Sequence, residues 1–264
     1  MPCKHRILLG SLAALFAAVP SHVLAAPAWV GRSITLPRHD WAFDVGLGIG
    51  HFDAPDPPTG VGLNAEFAVA VARHLELGFR DGFRFGVDGR ATRADEYGRL
   101  FDRQTFGTNH DDVANPEFRL RGALVDSAVV ELALEGRAAL PIERGSEFAL
   151  QFGMPVWFHL GRSVRLDTGV YVPVAFYEPT LVAVSAPLDV WIQCTPRLWL
   201  GPMTGVRWSH QGPGERTDVS LGFGLGYSLS RALDLKTMAL FPGINHSQGA
   251  RNFGIGVGIQ VRIE

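Results

Sequence analysis

The chain is poor in cysteine and lacks a long apolar run. Cys3 and Cys194 are its only cysteines in 264 residues, and we expect Cys3 to be removed with a targeting segment. A single remaining cysteine excludes an intramolecular disulfide. The apolar stretch ILLGSLAALFAAV is shorter than the roughly 20 residues that a transmembrane helix requires. If the mature protein lies in a membrane, it must do so as a closed β-barrel, because open sheet edges cannot face lipid.

An excess of positive charge is also missing. The chain has 24 lysines and arginines against 26 aspartates and glutamates, so we expect no nucleic-acid partner, which would require a basic face. Motifs for metal, phosphate or nucleophilic chemistry are equally scarce, and we predict no enzymatic activity, no cofactor and no metal. The one compact group of catalytic residue types is Asn109-His110-Asp111-Asp112, which leaves an outer-membrane hydrolase as a minor hypothesis.

The N-terminal residues have the three parts of a secretory signal peptide. A basic start at residues 4–6 precedes the apolar stretch, and Val23-Leu24-Ala25 supplies small residues for cleavage. We therefore predict a signal peptide over residues 1–25. Residues 26–40 contain two prolines and no sustained alternation, which predicts an extended lead-in on the periplasmic side. Residues 41–264 form the third and largest division.

What the sequence does contain is an apolar alternation that recurs from Trp41 to the C-terminus. In WAFDVGLGIG the residues Trp41, Phe43, Val45 and Leu47 alternate with small or charged ones, as expected for a strand with one apolar face. Repetition of this pattern predicts an all-β fold, an antiparallel transmembrane β-barrel of about twelve strands. The predicted strands are residues 41–51, 61–72, 75–85, 117–125, 128–140, 147–160, 163–176, 180–194, 197–208, 217–229, 232–242 and 252–263.

Short turns alternate with longer connections along the chain, the usual asymmetry between the periplasmic and outer ends of such barrels. The longest connection, residues 86–116, is polar and aperiodic, and we assign it to the outer surface. Aromatic residues concentrate near the predicted strand ends, which predicts two interfacial girdles. Trp191 and Trp199 belong to the periplasmic girdle in this interpretation.

The same alternation predicts a charged lumen. We expect the following charged side chains to line it: Glu66, Glu76, Arg80, Arg84, Arg119, Arg121, Glu131, Glu135, Arg137, Arg165, Asp167, Arg207, Asp234 and Lys236. Two hypotheses follow. Opposed acidic and basic walls would orient solutes in an open pore, whereas paired charges would close the interior. Inward glycines such as Gly222, Gly224 and Gly226 leave room and favour a narrow passage, although they also relieve crowding between strands.

Two stretches resemble a loosely defined, largely uncharacterised group of Gram-negative outer-membrane β-barrel proteins that are porin-like or transporter-like. They are RSITLPRHDWAFDVGLGIG, similar to the opening of those chains, and LGRSVRLDTGVYVPVAF, similar to their internal hairpins. The resemblance implies location and architecture more than activity. One departure is the ending Val261-Arg262-Ile263-Glu264, since barrels of this kind commonly finish with an aromatic residue.

These observations predict a cell outer-membrane barrel, surrounded by lipid, that gives small solutes passive passage. The alternative is a non-conducting structural or interaction barrel that acts through residues 86–116. The sequence leaves the oligomeric state open.

Overall fold

A computed structural model describes residues 29–51, 59–86, 115–142, 147–246 and 251–263. Within these ranges the chain forms one short 3-10 helix, Trp29–Gly31, and twelve β-strands. The strands are β1 Trp41–His51, β2 Thr59–Ala72, β3 Leu75–Gly86, β4 Glu117–Asp126, β5 Val130–Ala139, β6 Ala149–Leu160, β7 Val164–Ala175, β8 Leu181–Gln193, β9 Leu198–Gln211, β10 Gly214–Ser228, β11 Leu233–Phe241 and β12 Phe253–Ile263. No helix among the described residues is both long enough and apolar enough to cross a bilayer.

The strands close into a barrel in which every neighbour in sequence is an antiparallel neighbour in space. The first and last strands complete the ring, with Trp41 opposite Ile263 and His51 opposite Phe253. This closure leaves no sheet edge unpaired, and it confirms the predicted all-β antiparallel barrel and its twelve strands.

One end of the barrel carries the short turns, and we call it the turn end. Its connections are residues 73–74, 127–129, 161–163, 194–197 and 229–232, and both described chain ends of the barrel, Trp41 and Ile263, lie there. The opposite end, which we call the loop end, includes the connection between β3 and β4. Residues 87–114 of that connection, with the Asn109–Asp112 group, lie outside the described residues, as do residues 1–28.

The outer surface of the barrel is apolar. Phe43, Leu47 and Ile49 on β1 are 39 to 48% exposed and point away from the interior, whereas Ala42, which precedes Phe43, is buried. Large apolar side chains are exposed in the same way on every strand from β1 to β12. Phe83, Phe118 and Phe176 are among them and lie near the loop end, as the predicted outer girdle requires.

One strand pair differs from the sequence prediction. The strands β9 and β10 extend to Gln211 and Gly214, so the connection placed at residues 209–216 shrinks to the tight turn Gly212-Pro213. Gly212 has a φ of 57°, a left-handed conformation that glycine adopts without steric cost. The sequence predicted a loop here because Ser209, His210 and Glu215 are polar and interrupt the apolar alternation.

Residues before β1 enter the barrel rather than lying beside it. Val30, Arg32, Ile34 and Leu36 are all buried, although the predicted lead-in 26–40 has no sustained alternation that indicated this. We call residues 29–36 the inserted segment. The chain leaves the interior through the exposed residues 37–39 and joins the wall where Asp40 pairs with Ala70 of β2.

Candidate functional site in the barrel interior

The inner wall carries a ladder of arginines and glutamates that begins on β2 and β3. Arg119 of β4 donates through Nη1 to Glu66 Oε1 at 2.9 Å and through Nη2 to Glu76 Oε1 at 2.6 Å. Arg119 and Glu76 are buried. A buried charge of either sign is tolerated only with such a partner, and one guanidinium here bridges carboxylates from two neighbouring strands.

The ladder continues across β4 and β5. Arg121 donates to Glu135 Oε2 from Nε at 2.8 Å and from Nη2 at 2.5 Å, and Arg137 Nε donates to Glu135 Oε1 at 2.6 Å. Glu117 accepts from Arg80 at 2.6 Å and lies 3.7 Å from Arg137. Acid and base therefore lie side by side on one wall. This arrangement favours paired interior charge over opposed acidic and basic walls.

The next part of the wall, formed by β6, β7 and β8, combines charge with indole rings. Arg165 of β7 binds Asp167 through Nε at 2.6 Å, and its guanidinium lies 3.9 Å from the ring centroid of Trp157. Trp191 Nε1 donates to Asp167 at 3.1 Å. On the far side of β9 and β10, Lys236 of β11 binds Asp44 of β1 across β12. Arginine against an indole face is a favourable cation–π contact that also keeps the charge in place.

The structure places the sequence-predicted charges as follows. Those that border interior cavities are Glu66, Glu76, Arg80, Arg119, Arg121, Arg137, Arg165, Asp167 and Lys236. Four more, Glu131, Glu135, Arg207 and Asp234, are buried side chains of the wall. Arg84 lies on β3 opposite Gly62, and its side chain is outside the described part of the structure.

Trp191 and Trp199 point into the barrel, so their assignment to a lipid-facing girdle is wrong. Trp199 is 2% exposed and stacks on Trp29 with ring centroids 4.6 Å apart, while Trp191 meets Trp29 edge-on at 6.4 Å. Residues separated by an even number of positions share one face of a strand. Trp191 therefore lies on the same inward face as Asp189, and Trp199 on the same face as Arg207.

The glycines of β10 make space for these rings. A Cβ built on Gly226 would lie 2.0 Å from Trp199 Cζ2, and one on Gly224 would lie 2.5 Å from Trp191 Cη2. In the sequence, the inward glycines of β10 indicate space for a passage, but the indole rings fill the space beside Gly224 and Gly226. The wall is therefore packed at these two positions.

The inserted segment crosses the interior at the turn end and is bound by the wall on several sides. Its backbone N–H groups at Ile34 and Leu36 donate to Glu131 Oε2 at 2.5 Å and to Glu76 Oε2 at 3.0 Å. Arg121 donates to the Ile34 carbonyl oxygen at 3.0 Å. Because the segment pairs with no strand, wall side chains supply these hydrogen bonds, which a buried backbone needs.

The start of the segment is bound in the same way. The Val30 N–H donates to Gln193 Oε1 at 3.3 Å, and its carbonyl oxygen lies 2.9 Å from His159 Nδ1. The opposite imidazole nitrogen, Nε2, lies 2.8 Å from Glu131, the same carboxylate that binds Ile34. Arg165 donates to the Trp29 carbonyl oxygen at 3.1 Å.

Arg32 supplies the one formal charge of the segment. Its guanidinium forms a bidentate ion pair with Asp234 of β11, with Nη2 3.1 Å from Oδ1, and both residues are at most 5% exposed. Ser228 also donates to Asp234, at 2.7 Å. Bidentate pairing of buried arginine and carboxylate is among the strongest charge-assisted contacts. Sequence reasoning identified Asp234 as an interior acid and missed its partner, which lies 202 residues away.

The interior contains cavities. One of about 210 Å³ lies beside the arginine–glutamate ladder, and one of about 270 Å³ lies beside Trp191 and Trp199. Trp29, Arg121, Trp157 and Lys236 border both, so these four side chains separate them. Over the described residues, no group of three or more metal-binding side chains is found.

No protein-family model and no curated protein matches the sequence. The fold is similar to that of the NanC porin, with a TM-score of 0.60 at 6% identity over 83% of this chain and 98% of that one. It is similar to the KdgM porin, with a TM-score of 0.56 at 8% identity over 84% and 99% of the two chains. An outer-membrane channel from Pseudomonas putida F1 gives a TM-score of 0.57 at 10% identity over 87% and 97%. The chain therefore shares its barrel fold with porins and with an outer-membrane channel.

Proposed function

We propose that the protein is an outer-membrane channel that gives small polar solutes a passive route across the membrane. The observation that carries the proposal is the division of the barrel into an apolar outer surface and a charged interior that still contains cavities. An apolar exterior suits lipid, and a polar interior suits water and polar solutes. In this proposal the turn end faces the periplasm and the loop end faces the outside.

The interior favours solutes that are small and polar. Both cavities are bordered by charges of both signs, with Glu66, Arg119 and Lys236 among them. The KdgM porin, which has this fold, is known in complex with disordered oligogalacturonate. That complex is a precedent for a polar solute bound to a barrel of this architecture.

The test is solute-driven swelling of liposomes that contain the folded protein. We expect swelling with small neutral sugars and amino acids and a decline as solute size increases. Swelling no faster than that of protein-free liposomes would contradict passage. Folding is checked independently by the shift in gel mobility between heated and unheated samples.

Charge selectivity tests whether the solutes pass the ladder. Arg119→Gln removes the positive charge between Glu66 and Glu76, so we expect lysine to enter faster relative to aspartate than in the wild type. Arg162→Gln is the matched control, because Arg162 is exposed in the turn at residues 161–163. A ratio that is the same in both variants would show that solutes do not pass Arg119.

A further inference from the structure

We propose that the inserted segment, residues 29–36, is a releasable plug that closes the turn end of the barrel. This inference rests on the proposed channel function and adds a closed state to it.

The wall groups that hold the segment lie in a ring at the turn end. Glu76, Glu131 and Asp234 are each the second residue of their strand, and Gln193 is the last residue of β8. The ring also includes His159, the penultimate residue of β6. These groups belong to strands on different sides of the barrel, so the segment spans the opening instead of lining one side of it.

The contacts are made mostly by side chains of the wall. Across the described residues, the backbone bonds between this part of the chain and the wall are those of His39 and Asp40 with Ala70, after the segment has left the interior. Removal of the segment therefore breaks no rung of the closed β-ladder. The barrel can remain intact while the plug leaves.

The exit of the segment has the features of a hinge. Residues 37–39 are exposed, and His39 has a φ of 74°, outside the helical and extended regions. Leu36 packs with Ala42, Ala68 and Ala70 next to this exit. Once Leu36 separates from these alanines, the segment can rotate toward the turn end about the junction of Leu36 and Pro37, which precedes the wall-bound His39.

Arg32 and Asp234 are the contact most suited to control release. They form the buried ion pair of the segment, and a single substitution turns it into a repulsion between two carboxylates. Arg32→Glu changes a residue of the segment and leaves the wall unaltered. Arg38→Glu is the matched control, because it makes the same charge change on the exposed exit.

The experiment measures exposure of the segment in the full-length protein in lipid vesicles. Cys3 and Cys194 are both replaced by serine to remove the native thiols, and Ile34→Cys provides a reporter at a position that is 2% exposed. We expect a water-soluble maleimide to label the reporter about tenfold faster or more after Arg32→Glu. The rate should not change after Arg38→Glu.

Conductance of the same variants, without the reporter, supplies the second readout. Faster labelling together with a higher open probability for Arg32→Glu supports the plug. An unchanged labelling rate overturns it, and so does labelling that rises equally in Arg38→Glu. Faster labelling with no current in any variant supports release of the segment and contradicts the channel proposal. If Arg32→Glu fails to fold, Arg32→Gln removes the ion pair without introducing repulsion.

Discussion

Gly226→Ala is a sharp test of how the interior is packed. The added Cβ would lie 2.0 Å from Trp199 Cζ2, whereas two non-bonded carbon atoms are ordinarily at least about 3.5 Å apart. The indole must therefore move by more than about 1 Å. Any such movement disturbs its stacking on Trp29, because the two ring centroids are only 4.6 Å apart.

The cost has two parts. Inserting a methyl group into a packed interior costs about 1–3 kcal/mol, and loss of an aromatic pair costs about 0.5–1.5 kcal/mol. We expect Gly226→Ala to lower the free energy of unfolding by about 2–4 kcal/mol.

Gly136→Ala is the matched control for this substitution. Nothing lies within 4 Å of a Cβ at Gly136, which faces away from the interior on β5. Alanine also loses less entropy on folding than glycine, so we expect no loss of stability in the control. The assay is urea unfolding of the barrel in lipid vesicles, followed by gel mobility and tryptophan fluorescence. Equal unfolding midpoints for the two variants would refute the placement of Trp199 inside the barrel.

Two further predictions concern the wall and its orientation. Glu117→Ala leaves Arg80 and Arg137 without a shared carboxylate, and we expect urea unfolding to show a loss of about 3–5 kcal/mol; a loss below ~1 kcal/mol would mean that the pairing is solvent-exposed. A bulky polyethylene glycol maleimide added to intact cells should leave Cys194 at the turn end unlabelled, and should label Pro213→Cys at the loop end in a Cys194→Ser background. The reverse pattern would contradict the proposed orientation.

The strands were predictable because their signal is local. A side-chain alternation with period two is present in each strand, and a barrel with lipid outside and charge inside makes that alternation strong. The predicted boundaries of β1, β2 and β3 agree with the structure within two residues. Short turns at residues 73–74 and 230–231 were equally clear.

The packing of the interior was less predictable. An indole at a strand end fits an interfacial girdle as well as a packed lumen, and Trp191 and Trp199 differ from girdle residues only in their parity with Asp189 and Arg207. The neighbouring glycines were equally ambiguous, since Gly226 provides space without indicating what fills it.

The position of the inserted segment inside the barrel was not predictable from the sequence. Its alternation is short and includes the charged Arg32, and its contacts are made with residues far along the chain, such as Asp234 with Arg32. Only the positions of Glu76, Glu131 and Asp234, each the second residue after a short turn, could have indicated a ring of acceptors. These residues form a ring only in the closed barrel, which brings their strands together.

Single-channel conductance of the purified, folded protein in a planar bilayer tests the proposed channel directly. We expect discrete steps with a reproducible ion preference, and a higher open probability when Arg32→Glu weakens the binding of the inserted segment. A correctly folded barrel that passes no current in either form would contradict the proposed channel.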